Sequence, residues 1–275
     1  MEKSRTRTSN VDPNVPSSGR IYDFLLNGRD HYPADKAAAR KVLERVPEAH
    51  YMAHANRVFL QRAAGRIARA GVRQFIDIGS GIPTAWNTHE VVQVVDPQAR
   101  VVYVDNDPVV LEMSQEILSR NGESNAVYVD ADVREPDSIL TNPAVRDLID
   151  FDQPVGYMHI AIWHFAADEY DPWGLVTRYL DAVPSGSYLA LSHVTSDDQK
   201  PDKVQRFKDV YANTPSGVHF RTREEINRFF TGLEFLPPYE GAEPALSFVD
   251  KWGSKNPNVV DPSHTWLPCG VARKP

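Results

Sequence analysis

An α/β fold with an open, mostly parallel sheet is predicted by three observations on this 275-residue sequence. Short apolar runs rich in β-branched and aromatic residues recur after residue 72: RQFIDI (73–78), RVVYVD (100–105), NAVYVD (125–130), VGYMHIAI (155–162) and SYLALS (187–192). Helical stretches separate them, and Asp107-Pro108 and Asp171-Pro172 each give an N-cap residue followed by a proline suited to the first helical position. A glycine turn, Gly79-Ser80-Gly81, follows the first run directly. Such alternation implies right-handed crossovers and a sheet covered by helices on both faces.

The elements follow in chain order. Residues 1–19 are polar, with Pro13, Pro16 and Ser17-Ser18-Gly19, and are expected to form a flexible leader. Residues 20–72 are expected to form an N-terminal helical lid or cap. One helix runs from Ala34 to Pro47, and a second, from about Glu48 to Ala70, places Met52, Phe59, Leu60, Ala63 and Ile67 on one face before Gly71 stops it. Arg57, Arg62, Arg66 and Arg69 are then expected on a solvated face. Residues 73–275 hold the sheet, with Asn121-Gly122 ending the helix that Pro108 opens. Thr222 and Glu225 form a capping box, LEFL (233–236) and TWLPCGVAR (265–273) read as two final strands, and the stretch 237–264 between them reads as an ordered loop over the sheet.

Composition narrows the function classes. A formal net charge of -7 argues against a surface built to neutralise phosphates, so nucleic acid is not an expected partner. Cys269 is the single cysteine, which excludes an intrachain disulfide and a thiolate metal cluster. The first thirty residues lack the apolar core of a signal peptide and no run has the length of a membrane span, so a cytoplasmic protein without a membrane partner is expected.

In a doubly wound sheet, ligands sit beyond the carboxyl ends of the strands, where Gly79, Ser80 and Gly81 fall. The second run ends in Asp105, suited to the two hydroxyls of a ribose, and the third in Asp130-Ala131-Asp132, where a carboxylate can meet an adenine amino group. A dinucleotide site calls for a third glycine where this chain has Thr84, and Asp77 beside the turn would repel a pyrophosphate. Asp77 suits a ligand carrying an ammonium and a sulfonium, which points to S-adenosyl-L-methionine and disfavours a nucleotide-dependent dehydrogenase.

The segments SSGRIYDFLLNGRDHYPAD (17–35), HANRVFLQRA (54–63), RQFIDIGSGIPTAWNTHEV (73–91), RVVYVDNDPVVL (100–111), YVDADVREP (128–136) and SGSYLALSHVT (185–195) resemble an actinobacterial family of class I S-adenosyl-L-methionine-dependent methyltransferases of undefined substrate. The resemblance covers nearly the whole chain after residue 16. It implies a Rossmann-like seven-stranded sheet with an antiparallel last strand, and cofactor contacts at Asp77, Gly79, Ser80, Gly81, Asp105, Asn106 and Asp132. It implies no substrate.

Methyl transfer chiefly needs an aligned nucleophile and, for some acceptors, a base. His164 follows the fourth run and His193 the fifth, so both are candidate catalytic residues; the alternative for each is a histidine held by hydrogen bonds at a strand end. An Asn/Asp-Pro-Pro-aromatic loop, typical of amine methylation, is replaced after the fourth run by Ile162-Trp163-His164-Phe165, which favours a small-molecule acceptor over a nucleic-acid base. The segment Tyr22–Tyr32 is expected to close over the site, with Tyr22, Asp30 and Tyr32 facing cofactor or acceptor. His50 and His54 lack the glutamate of a zinc helix and any third ligand, so no metal is expected. A non-catalytic, regulatory S-adenosylmethionine-binding protein remains the alternative function.

Overall fold

The computed structural model describes residues 12–83, 86–121, 125–212, 214–259 and 261–275. The five apolar runs form β1 (Gln74–Ile78), β2 (Arg100–Asp105), β3 (Ala126–Asp130), β4 (Gly156–Ile160) and β5 (Tyr188–Ser192). They are joined to β6 (Glu234–Phe235), β7 (Ser247–Phe248) and β8 (Pro268–Arg273) in one sheet of order β3-β2-β1-β4-β5-β8-β6, with β7 paired to β8 off this path. β1 to β5 are parallel, and β8 runs antiparallel to β5, as expected of the last strand. The short β7 is an addition to the expected seven. It comes from the loop 237–264, which is further held where the Gly253 N–H donates to Pro238 O and Trp252 packs edge-on against Phe59.

Strand order reverses between β1 and β4, which opens a crevice at the carboxyl edge. The register sets Ile78 opposite Val104 and Asp105 opposite Asp130, so the ends of β1, β2 and β3 finish close together.

The helices are α1 (Ser18–Leu25), α2 (Pro33–Arg45), α3 (Ala49–Arg69), α4 (Thr88–Val95), α5 (Pro108–Asn121), α6 (Pro136–Leu140), α7 (Pro143–Leu148), α8 (Pro172–Asp181), α9 (Pro201–Tyr211) and α10 (Arg223–Asn227). Successive strand residues serve opposite faces. Phe75, Tyr103, Met158 and Ala190 face a core shared with α1, α2, α3 and α9, whereas Ile76, Val102, Tyr157 and Leu189 face one shared with α7, α8 and α10. The N-terminal helices are therefore one layer of the same fold: Ile21, Val42, Phe59 and Ile67 join sheet residues in a single apolar cluster.

Two local expectations need correction. The leader is not loose up to residue 19, because the Ser17 side chain caps α1 and Arg20 Nη2 donates to Val15 O at 2.8 Å. Residues 1–11 lie outside the described residues. Of the four arginines on α3, Arg66 and Arg69 are exposed, but Arg57 and Arg62 are half-buried. Arg57 donates to Asn87 Oδ1, and Arg62 to the carbonyls of Asp250 and Trp252, so these two fasten α3 to neighbouring loops.

Candidate active site

The carboxyl edge of the sheet opens into a cavity of about 560 Å³, within the range of small-molecule sites. Its floor is formed by the turns after β1 to β4 and by Val194 after β5; α3, α9 and the segment from Asp12 to Leu25 supply the walls.

Gly79 and Gly81 both have positive φ, +72° and +65°, which disfavours any side chain. Their surroundings differ. A Cβ at Gly79 would come within 2.5 Å of Ile162, so this glycine lets the turn pack on the loop after β4; one at Gly81 would meet nothing, leaving that backbone open to a ligand. Ser80 Oγ is buried without a hydrogen-bond partner among the described residues.

Two carboxylates stand at the ends of neighbouring strands. Asp77 Oδ2 accepts from Thr88 Oγ1, and burial pushes its carboxyl up to about 6. Asp105 accepts from the Gly81 N–H at 2.8 Å and the Asp107 N–H at 2.9 Å, tying the glycine turn after β1 to the turn after β2. Burial raises it to about 6 as well. Asp105 lines the cavity, and its two oxygens have acceptor capacity beyond these bonds.

Asp132 is more committed. Burial would raise its carboxyl, but Arg134, with side-chain bonds at 2.9 and 2.6 Å and a backbone bond at 2.8 Å, brings it below the usual range. Asn106 Nδ2 donates to Oδ2, which also accepts from Arg134 Nη2, at 3.0 Å. Asp132 and Asn106 thus form one bonded group at the β3 end, with the exposed ring of Tyr170 over the Arg134 guanidinium.

Among the three residues expected to close over the site, Tyr22 lines the cavity; Asp30 and Tyr32 do not. The Tyr22 hydroxyl donates to Ala53 O at 3.0 Å and accepts from Asn56 Nδ2, and Asn56 in turn accepts from Ser192 Oγ. Asp30 and Tyr32 serve the turn instead. Asn27, at φ +62°, ends α1, and buried Asp23 gathers the Asp30 N–H and His31 Nδ1; the Tyr32 N–H donates to Asp35.

The two candidate histidines part company. His193 is fully buried: Nδ1–H donates to Val194 O and Nε2 accepts from Arg221 Nη1, both at 2.7 Å. Burial first, then unfavourable interaction with His164 and the Arg221 cation, holds it far below its usual range, and with both nitrogens engaged it does not line the cavity. His164 does line it, and its buried Nδ1 has no partner among the described residues. Burial lowers its titration to about 3, so the imidazole is neutral across the physiological range.

Residues 4–275 match the S-adenosyl methyltransferase family. The chain belongs to that family. Its cofactor is S-adenosyl-L-methionine and its activity is that of a methyltransferase. It is 42% identical to a DUF574 family protein from Streptomyces avermitilis, with a TM-score of 0.88 over 96% of this chain and 99% of the other. It is 35% identical to a candidate methyltransferase from Thermobifida fusca, with a TM-score of 0.86 over 95% of this chain and 96% of the other. Comparison with curated proteins gives no match. Among the described residues, no helix of this methyltransferase is long and apolar enough to cross a membrane.

The residues present suit the cofactor. An open backbone at Gly81, an unpartnered hydroxyl on Ser80 and two carboxylates with free lone pairs meet the needs of a cationic amino acid joined to a ribose. Thr84, where a dinucleotide site would have its third glycine, lies outside the described residues.

Two functional groupings escape sequence reasoning. Arg20, nearly fully buried, bridges Asp35 and Asp107 at 2.8 Å each, and Ser17 Oγ donates to Asp107, so α1 is fastened to the turn that follows Asp105. Arg221, equally buried, donates to the carbonyls of Trp163 and Ala166, to Asp168 and to His193, and so fixes the turn that carries His164. Arg20 and Asp35 stand within one family segment, which is a signal, whereas nothing in the sequence links Arg221 to residues 163–168.

Proposed function

We propose that this methyltransferase acts on a small-molecule acceptor bound over the β4, β5 and β8 side of the cavity. The observation that carries this reading is the division of the cavity: the charged lining residues stand on the N-terminal segment, on α3, or at and after the ends of β1, β2 and β3, whereas the lining from β4, β5, β8 and α9 is uncharged and mostly apolar and aromatic. A purely regulatory binder has no use for that second half.

In this reading Asp77, Gly79, Ser80 and Gly81 hold the amino-acid end of the cofactor, Asp105 and Asn106 the ribose, and Asp132, set by Arg134, frames the adenine end. When bound, S-adenosyl-L-methionine supplies an electrophilic methyl group on a cationic sulfur. Asp77 and Asp105, each about half protonated near pH 6 when alone, ionise fully beside that cation. Tyr22 and the segment from Val15 to Arg20 exclude water from one side, which strengthens the polar contacts inside. His164 presents a neutral imidazole to the acceptor, while His193 and Arg221 position its turn.

The test is transfer of tritiated methyl from the cofactor into an actinobacterial cell extract, fractionated by size. Label in the low-mass, solvent-extractable fraction is expected. Label confined to acid-precipitable protein or nucleic acid would overturn the acceptor class, and cofactor binding without any transfer would favour the regulatory binder.

A further inference from the structure

We propose that the acceptor is an uncharged aromatic alcohol whose hydroxyl is hydrogen-bonded by His164. This rests on the small-molecule reading above and adds the chemical class. Three observations carry it, and each excludes a different alternative.

The first is charge. None of the lining residues contributed by the ends of β4 and β5, by the start of β8 or by α9 carries a formal charge; Val194, Leu267, Phe165, Phe207 and Tyr211 dominate there, with Met52 opposite on α3. A carboxylate or ammonium buried against them would lose its hydration with no counter-ion to replace it. A neutral molecule avoids that penalty.

The second is shape. Phe207 and Tyr211 lie on one face of α9 with rings stacked at 5.1 Å and 9°, and the Phe165 ring is 5.9 Å from that of Tyr211. These rings line the cavity as one contiguous aromatic surface, and an aromatic ligand packs against such a surface edge-to-face or offset-stacked while ordering few torsions. Phe207 is itself backed by Trp266, 6.2 Å away, and by Phe220, so the wall is supported from behind.

The third is an unpartnered polar atom on this side of the cavity. His164 is 5% exposed, and its Nδ1 is buried without a partner among the described residues, although most buried polar atoms in a folded protein are satisfied. Arg221 fastens the backbone of the turn that carries it through the carbonyls of Trp163 and Ala166, so the imidazole projects from a fixed point of the cavity wall. A hydroxyl both donates and accepts, and satisfies a neutral imidazole nitrogen in either tautomer. A carbonyl serves one tautomer only, and a quaternary or protonated amine is excluded by charge.

The test uses three probes of one ring system, 2-naphthol, 2-methylnaphthalene and 2-naphthoate, titrated into the full-length protein with and without S-adenosylhomocysteine. Binding is read by calorimetry, so no turnover is needed. 2-Naphthol is expected to bind at least about fivefold more tightly than 2-naphthoate. The ratio of 2-naphthol to 2-methylnaphthalene affinity should fall by about fivefold or more in His164→Phe, as expected for loss of one hydrogen bond to a buried group. His164→Asn, which returns a polar side chain to the same turn, should recover part of that ratio and guards against a misfolded phenylalanine variant. Tighter binding of 2-naphthoate, or a ratio unchanged in both variants, overturns the assignment. So does absence of binding by all three probes in protein that still binds S-adenosylhomocysteine. That outcome leaves the small-molecule reading standing, since extract labelling decides it separately.

Discussion

Replacing Asp105 by asparagine probes the cofactor half most directly. The carboxylate accepts the Gly81 and Asp107 N–H groups at 2.8 and 2.9 Å, one on each oxygen. An asparagine has a single acceptor oxygen, so one of these N–H groups would face an NH₂ instead. Leaving a buried donor unpaired costs about 1–3 kcal/mol, in free and loaded protein alike, and should appear as a lowered melting temperature. Cofactor binding should suffer separately, because ribose hydroxyls would lose a charged acceptor. A hydrogen bond to a charged group contributes about 1.5–3 kcal/mol, so the dissociation constant should rise roughly 10- to 150-fold at pH 7.5. With Asp105 near 6 in the free protein, wild type at pH 5 is itself mostly protonated, and the gap between the two should narrow there. Calorimetric titration with S-adenosylhomocysteine at both pH values measures this. An affinity within twofold of wild type at pH 7.5, in a folded variant, would refute the ribose assignment.

Four further outcomes are expected. Asp77 and Asp105 both titrate near 6 in the folded, unliganded protein, above their unfolded values, so their contribution to stability is full below about pH 4 and is lost as pH rises through 6. A cationic ligand reverses this at those groups, so the melting-temperature gain on adding S-adenosyl-L-methionine should widen from pH 5 to pH 7; a gain independent of pH would count against both sites. Arg20→Met strands Asp35 and Asp107 without their cation and should destabilise the protein by roughly 3–5 kcal/mol in urea titrations, with Arg20→Lys less severe; a loss below about 1 kcal/mol would show the bridge to be incidental. Arg221→Met should lower stability by at least about 2 kcal/mol and weaken 2-naphthol binding more than cofactor binding, with equal weakening of the two as the contrary result. Tyr22→Phe removes a hydroxyl bonded to Ala53 O and Asn56 and should lower stability by about 1 kcal/mol, with S-adenosylhomocysteine affinity, read in the same titration, within about threefold; a larger loss of affinity would give Tyr22 a direct role.

The sheet was legible because its signals are local. Five apolar runs, proline-opened helices and a glycine turn each report on their own few residues, and the structure returns them within a residue or two. The same locality explains Asp77, Asp105 and the glycines, which a strand end places at the cavity. What could not be read is partner choice across the chain. His164 and His193 both follow the carboxyl ends of adjacent strands, yet Arg221, distant in sequence, reaches one of them and consumes its nitrogen. Tyr22, Asp30 and Tyr32 look alike in a polar-aromatic stretch, and the helical turn of α1 sends the first to the cavity while Asp23 draws Asp30 into the loop. Likewise Arg57 and Arg62 lie on a face that helical periodicity marks as outer, and loops from elsewhere cover it.

The fastening of α1 has a kinetic consequence. Ser17 and Arg20 grip Asp107, two residues from Asp105, so under the proposed placement of the ribose on Asp105, departure of spent cofactor past α1 would require this largely buried ion pair to open. Chemistry on a ligand already inside needs no such opening, but each new cycle does. The first equivalent of methylated product should therefore appear in a rapid burst matching the enzyme concentration, with a slower linear phase set by departure of S-adenosylhomocysteine. In Asp107→Asn, where the ion pair is weakened, that linear phase should quicken while the burst shrinks into it. Rapid-quench time courses would show this, and a wild-type progress curve linear from its first turnover would mean that the exit lies elsewhere.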